Sequence, residues 1–178
     1  MICPRVTLLN ELTLSRVAAG MWRLMDWRMS PRALLAYVDA CLALGVTTFD
    51  HADIYGNYAV EAAFGKALKL RPSLRAEIEL VTKVGIALVS SSRPEHRLKH
   101  YNTDPAHIRD SVERSLRNFN TDYLDLLLIH RPDPLMCFGD VAGGAERLKQ
   151  AGTIKAFGGS NFTPLQFQAL STFTPLAP

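Results

Sequence analysis

The sequence predicts an α/β fold built on a parallel sheet, and three observations predict it. Along the chain a short apolar run, then turn residues, then a stretch with apolar positions three or four apart recurs, the pattern of strands alternating with helices. Ser30-Pro31, Asp104-Pro105 and Thr163-Pro164 each stand just before such a stretch, where a capping side chain and a first-turn proline start a helix. Residues 123–130 are nearly all apolar, as a parallel strand buried on both faces requires.

The elements follow in order. A first strand is expected over residues 15–19, with a candidate hairpin before it through residues 7–14. The first helix runs from the Ser30 cap and Pro31 to a stop at Gly45, with Leu34, Val38, Cys41 and Leu42 on one face. Residues 46–50 read as the second strand, and Val60, Phe64, Ala67 and Leu68 mark the next helix. A third strand covers 77–83, and a polar Ser- and Arg-rich loop then reaches Thr103. The helix opened by Asp104-Pro105 carries Ile108, Val112, Leu116 and Phe119 at helical spacing. After the apolar strand comes a helix over 141–150, weakened by Gly143-Gly144, each costing about 1 kcal/mol against Ala inside a helix. Gly152 ends it, residues 154–158 form a fifth strand, and Phe167 and Leu170 face inward on the last helix. The count is about five β/α units joined by right-handed crossovers in a single domain over 1–178.

Composition narrows the function classes. With 178 residues, 48% of them hydrophobic, the chain can bury a sizeable core. A net charge of +3 with 21% charged residues gives little support for a nucleic-acid partner. No apolar run approaches the ~20 residues of a membrane span, and Met1-Ile2-Cys3-Pro4-Arg5 does not lead into a secretory signal core, so the expected compartment is cytoplasmic. Cys3, Cys41 and Cys137 are widely spaced and odd in number, which fits reduced thiols better than a disulfide framework or a zinc cluster.

In parallel α/β folds the working residues gather at the carboxyl ends of the strands. Polar residues that end apolar strands here are Asp50, Lys83 and His130, with Tyr55 in the loop after Asp50. Each alone has an ordinary reading: Asp50 as a turn cap, Lys83 snorkelling to water, His130 as a satisfied core histidine, Tyr55 as loop packing. Together they compose a proton-donating device. A phenol, whose ordinary pKa is near 10, donates poorly at neutral pH unless a cation favours its phenolate. Lys83 can be that cation, Asp50 can hold it charged and in place, and His130 can hydrogen-bond the same oxygen that Tyr55 protonates. The chemistry this implies is hydride addition to a carbonyl.

The wording around these residues resembles the aldo-keto reductase family. Asp50-His51-Ala52-Asp53-Ile54-Tyr55-Gly56-Asn57-Tyr58 is similar to the signature in which an Asp precedes the catalytic Tyr by five residues and a Gly follows it. Thr82-Lys83-Val84-Gly85 resembles the family's third-strand lysine, and Tyr123-Leu124-Asp125-Leu126-Leu127-Leu128-Ile129-His130-Arg131-Pro132 its fourth-strand histidine. Gly158-Gly159-Ser160-Asn161-Phe162 is similar to the family's Gly-x-Ser-Asn-Phe, and Gly20-Met21-Trp22 falls where its first strand meets cofactor and substrate. The wording around Trp22 and after His130 looks closest to a bacterial branch of oxidoreductases. The matches run in order from about residue 16 to residue 170.

The resemblance implies a (β/α)₈ TIM-barrel type scaffold and NADPH-dependent reduction of aldehydes or ketones. It makes Tyr55 the general acid, with Asp50 and Lys83 tuning it and His130 orienting the carbonyl. Ser160 and Asn161 would contact the nicotinamide carboxamide, with Met21 and Trp22 lining the cofactor and substrate site. No Gly-x-Gly-x-x-Gly is present, consistent with a family that uses no Rossmann domain. A full barrel takes about 250 residues and eight strands, so the fold expected here is an incomplete barrel with an open sheet edge and an uncovered apolar face. A homo-oligomer covering that edge is one expectation, and a non-catalytic barrel remnant or assembly module is the alternative to the enzyme. A barrel enzyme of phosphate chemistry would need a Gly-rich phosphate turn, which is not visible.

Two weaker signals remain. His96 and His100 are four apart in Glu95-His96-Arg97-Leu98-Lys99-His100, a spacing that suits metal ligands on a helix but here reads as a solvated loop. Trp22 and Trp27 read as packing or pocket wall, since no basic patch accompanies them.

Overall fold

The computed structural model describes residues 2–9 and 12–177. Its centre is a five-stranded parallel sheet of β3 (Ala18–Gly20), β4 (Thr48–Asp50), β5 (Glu79–Val84), β8 (Leu124–Ile129) and β9 (Ile154–Gly159), in the order β3-β4-β5-β8-β9. Sequential strands are spatial neighbours and all pairs are parallel, so each connection crosses back over one face. The crossovers carry α1 (Pro31–Ala43), α3 (Val60–Leu70), α4 (Pro105–Phe119) and α5 (Phe138–Gln150), and α6 (Pro164–Ser171) follows β9. Ala177 already pairs with Gly158 in a parallel bridge on the open side of β9. The sheet therefore has the layout of an incomplete (β/α)₈ barrel.

The helix starts fall where the caps predict. Ser30 Oγ accepts from the Ala33 N–H at 3.2 Å and Asp104 Oδ1 from the Ala106 N–H at 2.8 Å. Thr163 and Gln166 form a reciprocal capping box. Gly45 stops α1 in the left-handed region, at φ +77°, where a side chain is disfavoured. The sheet's helix-facing side chains, among them Phe49, Leu80, Leu127, Ile129 and Phe157, join Val38, Phe64, Val112, Phe119 and Ala145 of the helices in one buried core.

Four differences from the sequence reading have physical causes. The strand expected over 15–19 divides into β2 (Thr13–Ser15) and β3, because the Ser15 side chain ties the bend between them: its Oγ donates to Val17 O and accepts from the Thr47 and Thr48 N–H groups. β2 pairs antiparallel with β1 (Arg5–Thr7), and the tip of that hairpin at positions 10 and 11 lies outside the described residues. The polar stretch before Thr103 holds a short antiparallel pair, β6 (Ile86–Ala87) with β7 (His100–Tyr101). Finally, the concave face of the sheet is not bare: Leu8, Leu12 and Leu14 of the hairpin region pack with Val81, Leu126, Ala156 and Ala177 in a second core. The hairpin floors the barrel at the amino ends of the strands and buries the apolar face that an open sheet leaves exposed.

Cys3, Cys41 and Cys137 are all free. Among the described residues no helix is long and apolar enough to cross a membrane, and no cluster of His, Cys, Asp or Glu could hold a metal ion. His96 and His100 do not share a helix; they lie in the loop and on β7.

Candidate active site

Parallel pairing puts the carboxyl ends of β3, β4, β5, β8 and β9 on one rim, and each delivers an expected residue. Asp50 is the last residue of β4, Lys83 the penultimate residue of β5, His130 follows β8, Ser160 and Asn161 follow β9, and Met21 and Trp22 follow β3. The Lys83 ammonium donates to both Asp50 oxygens at 2.6 and 2.8 Å, to the His51 carbonyl at 2.9 Å and to the Tyr55 hydroxyl at 3.3 Å. Only 7% of Lys83 is exposed, so the ion pair acts at low dielectric on the phenol beside it. Side chains from the ends of three strands and from the turn after β4 thus meet, with the His130 and Tyr55 rings edge to face at 5.8 Å between centroids.

Tyr55 stands at the start of a tight turn, α2 (Tyr55–Tyr58), where the sequence predicts loop. Gly56, Asn57 and Tyr58 all have left-handed φ, at 56°, 57° and 69°. For Asn57 and Tyr58 this costs roughly 1–3 kcal/mol each. Gly56 is required twice over, because a Cβ there would lie 2.5 Å from Met25 Cγ and 2.9 Å from Val60 Cγ2.

Burial, with the Lys83 ammonium and the Arg131 guanidinium adding to it, pushes the His130 imidazole down to about 4. The ring is therefore neutral at pH 7 and can give a hydrogen bond without giving up its charge state. Its Nδ1 is buried without a partner among the described residues. The Asn161 side-chain amide donates to the His130 carbonyl and to Ser160 Oγ, both at 2.9 Å, which ties the end of β9 to the histidine. Trp22 is 70% exposed, with its ring 6.5 Å from that of Tyr55. Met21 is fully buried in the helix-side core; its contribution to the rim is an N–H donated to the Asp50 carbonyl at 2.9 Å.

Three residues behind the rim escaped the sequence reading. His51 is fully buried, edge-on to Phe64 and Phe119 at 4.6 and 4.8 Å, and burial pushes its imidazole down to about 3. Glu61, 1% exposed on α3, accepts from Thr82 and Ser115, each at 2.8 Å, and from Asn118 at 3.1 Å. Burial raises the Glu61 carboxyl against those three hydrogen bonds, and burial with the neighbouring Glu61 raises Asp53 further. Glu61 had a sequence signal: it shares the apolar stripe of Phe64, Gly65 and Leu68 at i+3, i+4 and i+7.

A cavity of about 660 Å³ lies elsewhere, between α4 and α5, lined by residues such as Arg109, Val112, Gly144 and Arg147. None of the four meeting side chains lines it, so chemistry and not concavity locates the candidate site.

With this geometry in hand, comparison with known proteins is decisive. A model of the Aldo/keto reductase family matches residues 16–177. The chain belongs to that family. Among its relatives, oxidoreductase YdhF of Escherichia coli is 55% identical over 90% of this chain and 53% of its own length. A 6-dehydroglucose reductase of Agrobacterium fabrum is 47% identical over 94% of this chain and 57% of its own length. Among solved structures, the glycerol dehydrogenase of Gluconobacter oxydans superposes with a TM-score of 0.83 at 30% identity, covering 97% of this chain and 53% of that one. This aldo-keto reductase chain therefore spans about half the length of the relatives it matches. Over that half, the relatives it is similar to carry oxidoreductase and reductase names.

Proposed function

We propose that this chain carries the proton-donating site of a carbonyl reductase that uses NADPH. The observation that carries the reading is the Lys83 ammonium held between the Asp50 carboxylate, at 2.6 and 2.8 Å, and the Tyr55 hydroxyl, at 3.3 Å. A carbonyl oxygen that gains negative charge takes a proton from Tyr55. The ammonium beside the phenol stabilises the phenolate left behind, and Asp50 keeps that ammonium charged and aimed. His130, neutral because its imidazole sits at about 4, offers a ring N–H to the same oxygen without competing as the acid. NADPH, when bound, supplies the hydride.

The residues present fit the nicotinamide end of that cofactor. Asn161 has its amide nitrogen committed to His130 and Ser160, which leaves its side-chain oxygen to accept from a carboxamide and the Ser160 hydroxyl to bond alongside it. Trp22, exposed beside Tyr55, supplies an aromatic wall for the substrate. The name of the Agrobacterium relative, a 6-dehydroglucose reductase, makes an oxidised hexose a reasoned substrate beside simple aldehydes and ketones.

The test mixes the purified chain with NADPH and a panel containing an activated aromatic aldehyde and 6-dehydroglucose, and follows loss of reduced-nicotinamide absorbance. Turnover is expected, and Tyr55→Phe should lower it by at least ~10²-fold, the scale of general acid catalysis. A wild-type chain that binds NADPH, seen by fluorescence, and turns nothing over would replace this reading with a non-catalytic module. Full activity in Tyr55→Phe would assign the proton to another donor.

A further inference from the structure

We propose that Tyr58 is a positioning residue for Tyr55, holding the left-handed turn by docking it onto the segment 88–101. The observations are independent of the rim itself. Tyr58 has φ 69°, a conformation unusual for a bulky residue and held only where its surroundings over-determine it. Its side chain supplies those surroundings. The Tyr58 hydroxyl accepts the Leu88 N–H at 2.8 Å and lies 3.4 Å from His96 Nδ1, which in turn is 3.1 Å from the Leu88 carbonyl. The Arg93 guanidinium covers the ring at 4.7 Å from its centroid. Burial raises the Tyr58 phenol further, so the dock carries no ionised phenol.

These contacts close a short circuit. From Lys83 the chain runs through Gly85, at φ +101°, into β6 and on to Leu88. Leu88 bonds Tyr58, Tyr58 ends the turn that Tyr55 begins, and Tyr55 meets Lys83 at 3.3 Å. The β6–β7 pairing fixes the base of the segment, with Ile86 opposite Tyr101 and Ala87 opposite His100. Were residues 56–58 to relax toward right-handed φ, either Tyr58 would leave its dock or Tyr55 would swing away from Lys83. The Leu88–Tyr58 hydrogen bond selects the arrangement in which neither happens.

The catalytic meaning of this dock rests on Tyr55 being the proton donor, but the dock is tested on the resting protein. In Tyr58→Phe the ring stays under Arg93 and the Leu88 N–H loses its acceptor. Leu88 amide hydrogen exchange should quicken about three- to ten-fold, the scale of one net hydrogen bond. The ring-carbon resonance of Tyr55, identified by its loss in Tyr55→Phe, should shift or broaden in the same variant. Leu88→Pro, which removes the N–H from the other partner, should move the Tyr55 resonance alike, and the double variant no further than either single one. Tyr58→Gly, suited to the left-handed φ, should stay folded and show the same Tyr55 change if Tyr58→Phe does not fold. Unchanged Leu88 exchange in Tyr58→Phe, or faster exchange with Tyr55 unmoved, overturns the inference. Undiminished turnover in Tyr55→Phe instead overturns the proton-donor reading and leaves the dock standing.

Discussion

At the scale of single residues, the rim pairs a buried ammonium with a half-buried carboxylate, and His130 on the rim and His51 behind it are imidazoles whose protonation the fold decides. Asp50→Ala would strand the Lys83 ammonium, 9% exposed at its side chain, with only neutral oxygens beside it. Removing one partner of a buried pair costs 3–5 kcal/mol; with the Asp50 side chain 31% exposed, solvent screening brings the expected loss to about 2–3 kcal/mol. Urea unfolding of Asp50→Ala measures it, and a loss under 1 kcal/mol would mean that the pair is solvent-screened. His51 makes a pH prediction. Its imidazole is lowered to about 3 in the folded chain from 6.5, so between these values the unfolded chain binds a proton that the folded one refuses. Stability is then present above pH 6.5 and is lost as pH falls, by about 2 kcal/mol between pH 7 and pH 5 for this one group. Glu61 and Asp53 act in the opposite sense, since their raised carboxyls favour the folded state as pH falls. The effect of His51 is therefore isolated as the difference between wild type and His51→Leu, whose acid slope should be shallower; identical slopes would place the imidazole in contact with water.

At the scale of elements, close approach decides which glycines matter. α3 and α4 touch at Gly65, where a Cβ would sit 1.9 Å from the Asn118 carbonyl oxygen. Since backbone cannot step aside, Gly65→Ala must push α3 off α4, at a cost of at least about 2 kcal/mol. The same shift would strain Glu61, which bonds Ser115 and Asn118 of α4 and Thr82 of β5, the neighbour of Lys83. Gly143 is the contrasting case. Its Cβ would meet only Arg147 Nη1, at an ordinary 3.6 Å, so Gly143→Ala should stabilise α5 by about 0.5–1 kcal/mol through helix propensity. Thermal melts of the two variants moving in opposite directions is the expected result. In the sequence the two glycines look alike, each a weak point inside a helical period, and only the neighbouring helix distinguishes them. The same limit explains what was legible. Local signals such as the Pro-marked caps and the apolar strand over 123–130 placed the five parallel strands and their helices. Three of the four residues that meet at the rim, Asp50, Lys83 and His130, were legible because they stand at strand ends that parallel pairing aligns, and Tyr55 because it follows the end of β4 by five residues. The bend at Ser15, the left-handed turn after Tyr55 and the dock on Leu88 depend on contacts 30 or more residues apart, and those leave no periodic trace.

At the scale of the whole molecule the two ends of the sheet divide the work. At the carboxyl ends lie Tyr55, Lys83, Asp50 and His130. At the amino ends Asp125, 3% exposed, gathers Arg75 and Lys155, each at 2.7 Å, and the Leu80 N–H at 3.0 Å, joining three strands and the turn before β5. Next to it the hairpin floor packs Leu12, 8% exposed, with Val81, Leu126 and Ala156 on the concave side. In parallel barrels that end serves stability and the opposite one chemistry, and the separation can be tested. Leu12→Ala removes the floor's most buried side chain and should cost about 2–4 kcal/mol, the range for a large-to-small core change. Because the floor also covers the concave face, the variant should bind more of an apolar-surface dye than wild type does. The Lys83–Tyr55 contact lies at the far ends of the strands, so the Tyr55 ring resonance should keep its position in whatever fraction stays folded. If Leu12→Ala moved that resonance as Tyr58→Phe is expected to, the sheet would be transmitting strain from floor to rim, and the division between a stabilising end and a reactive end would fail for this half of a barrel.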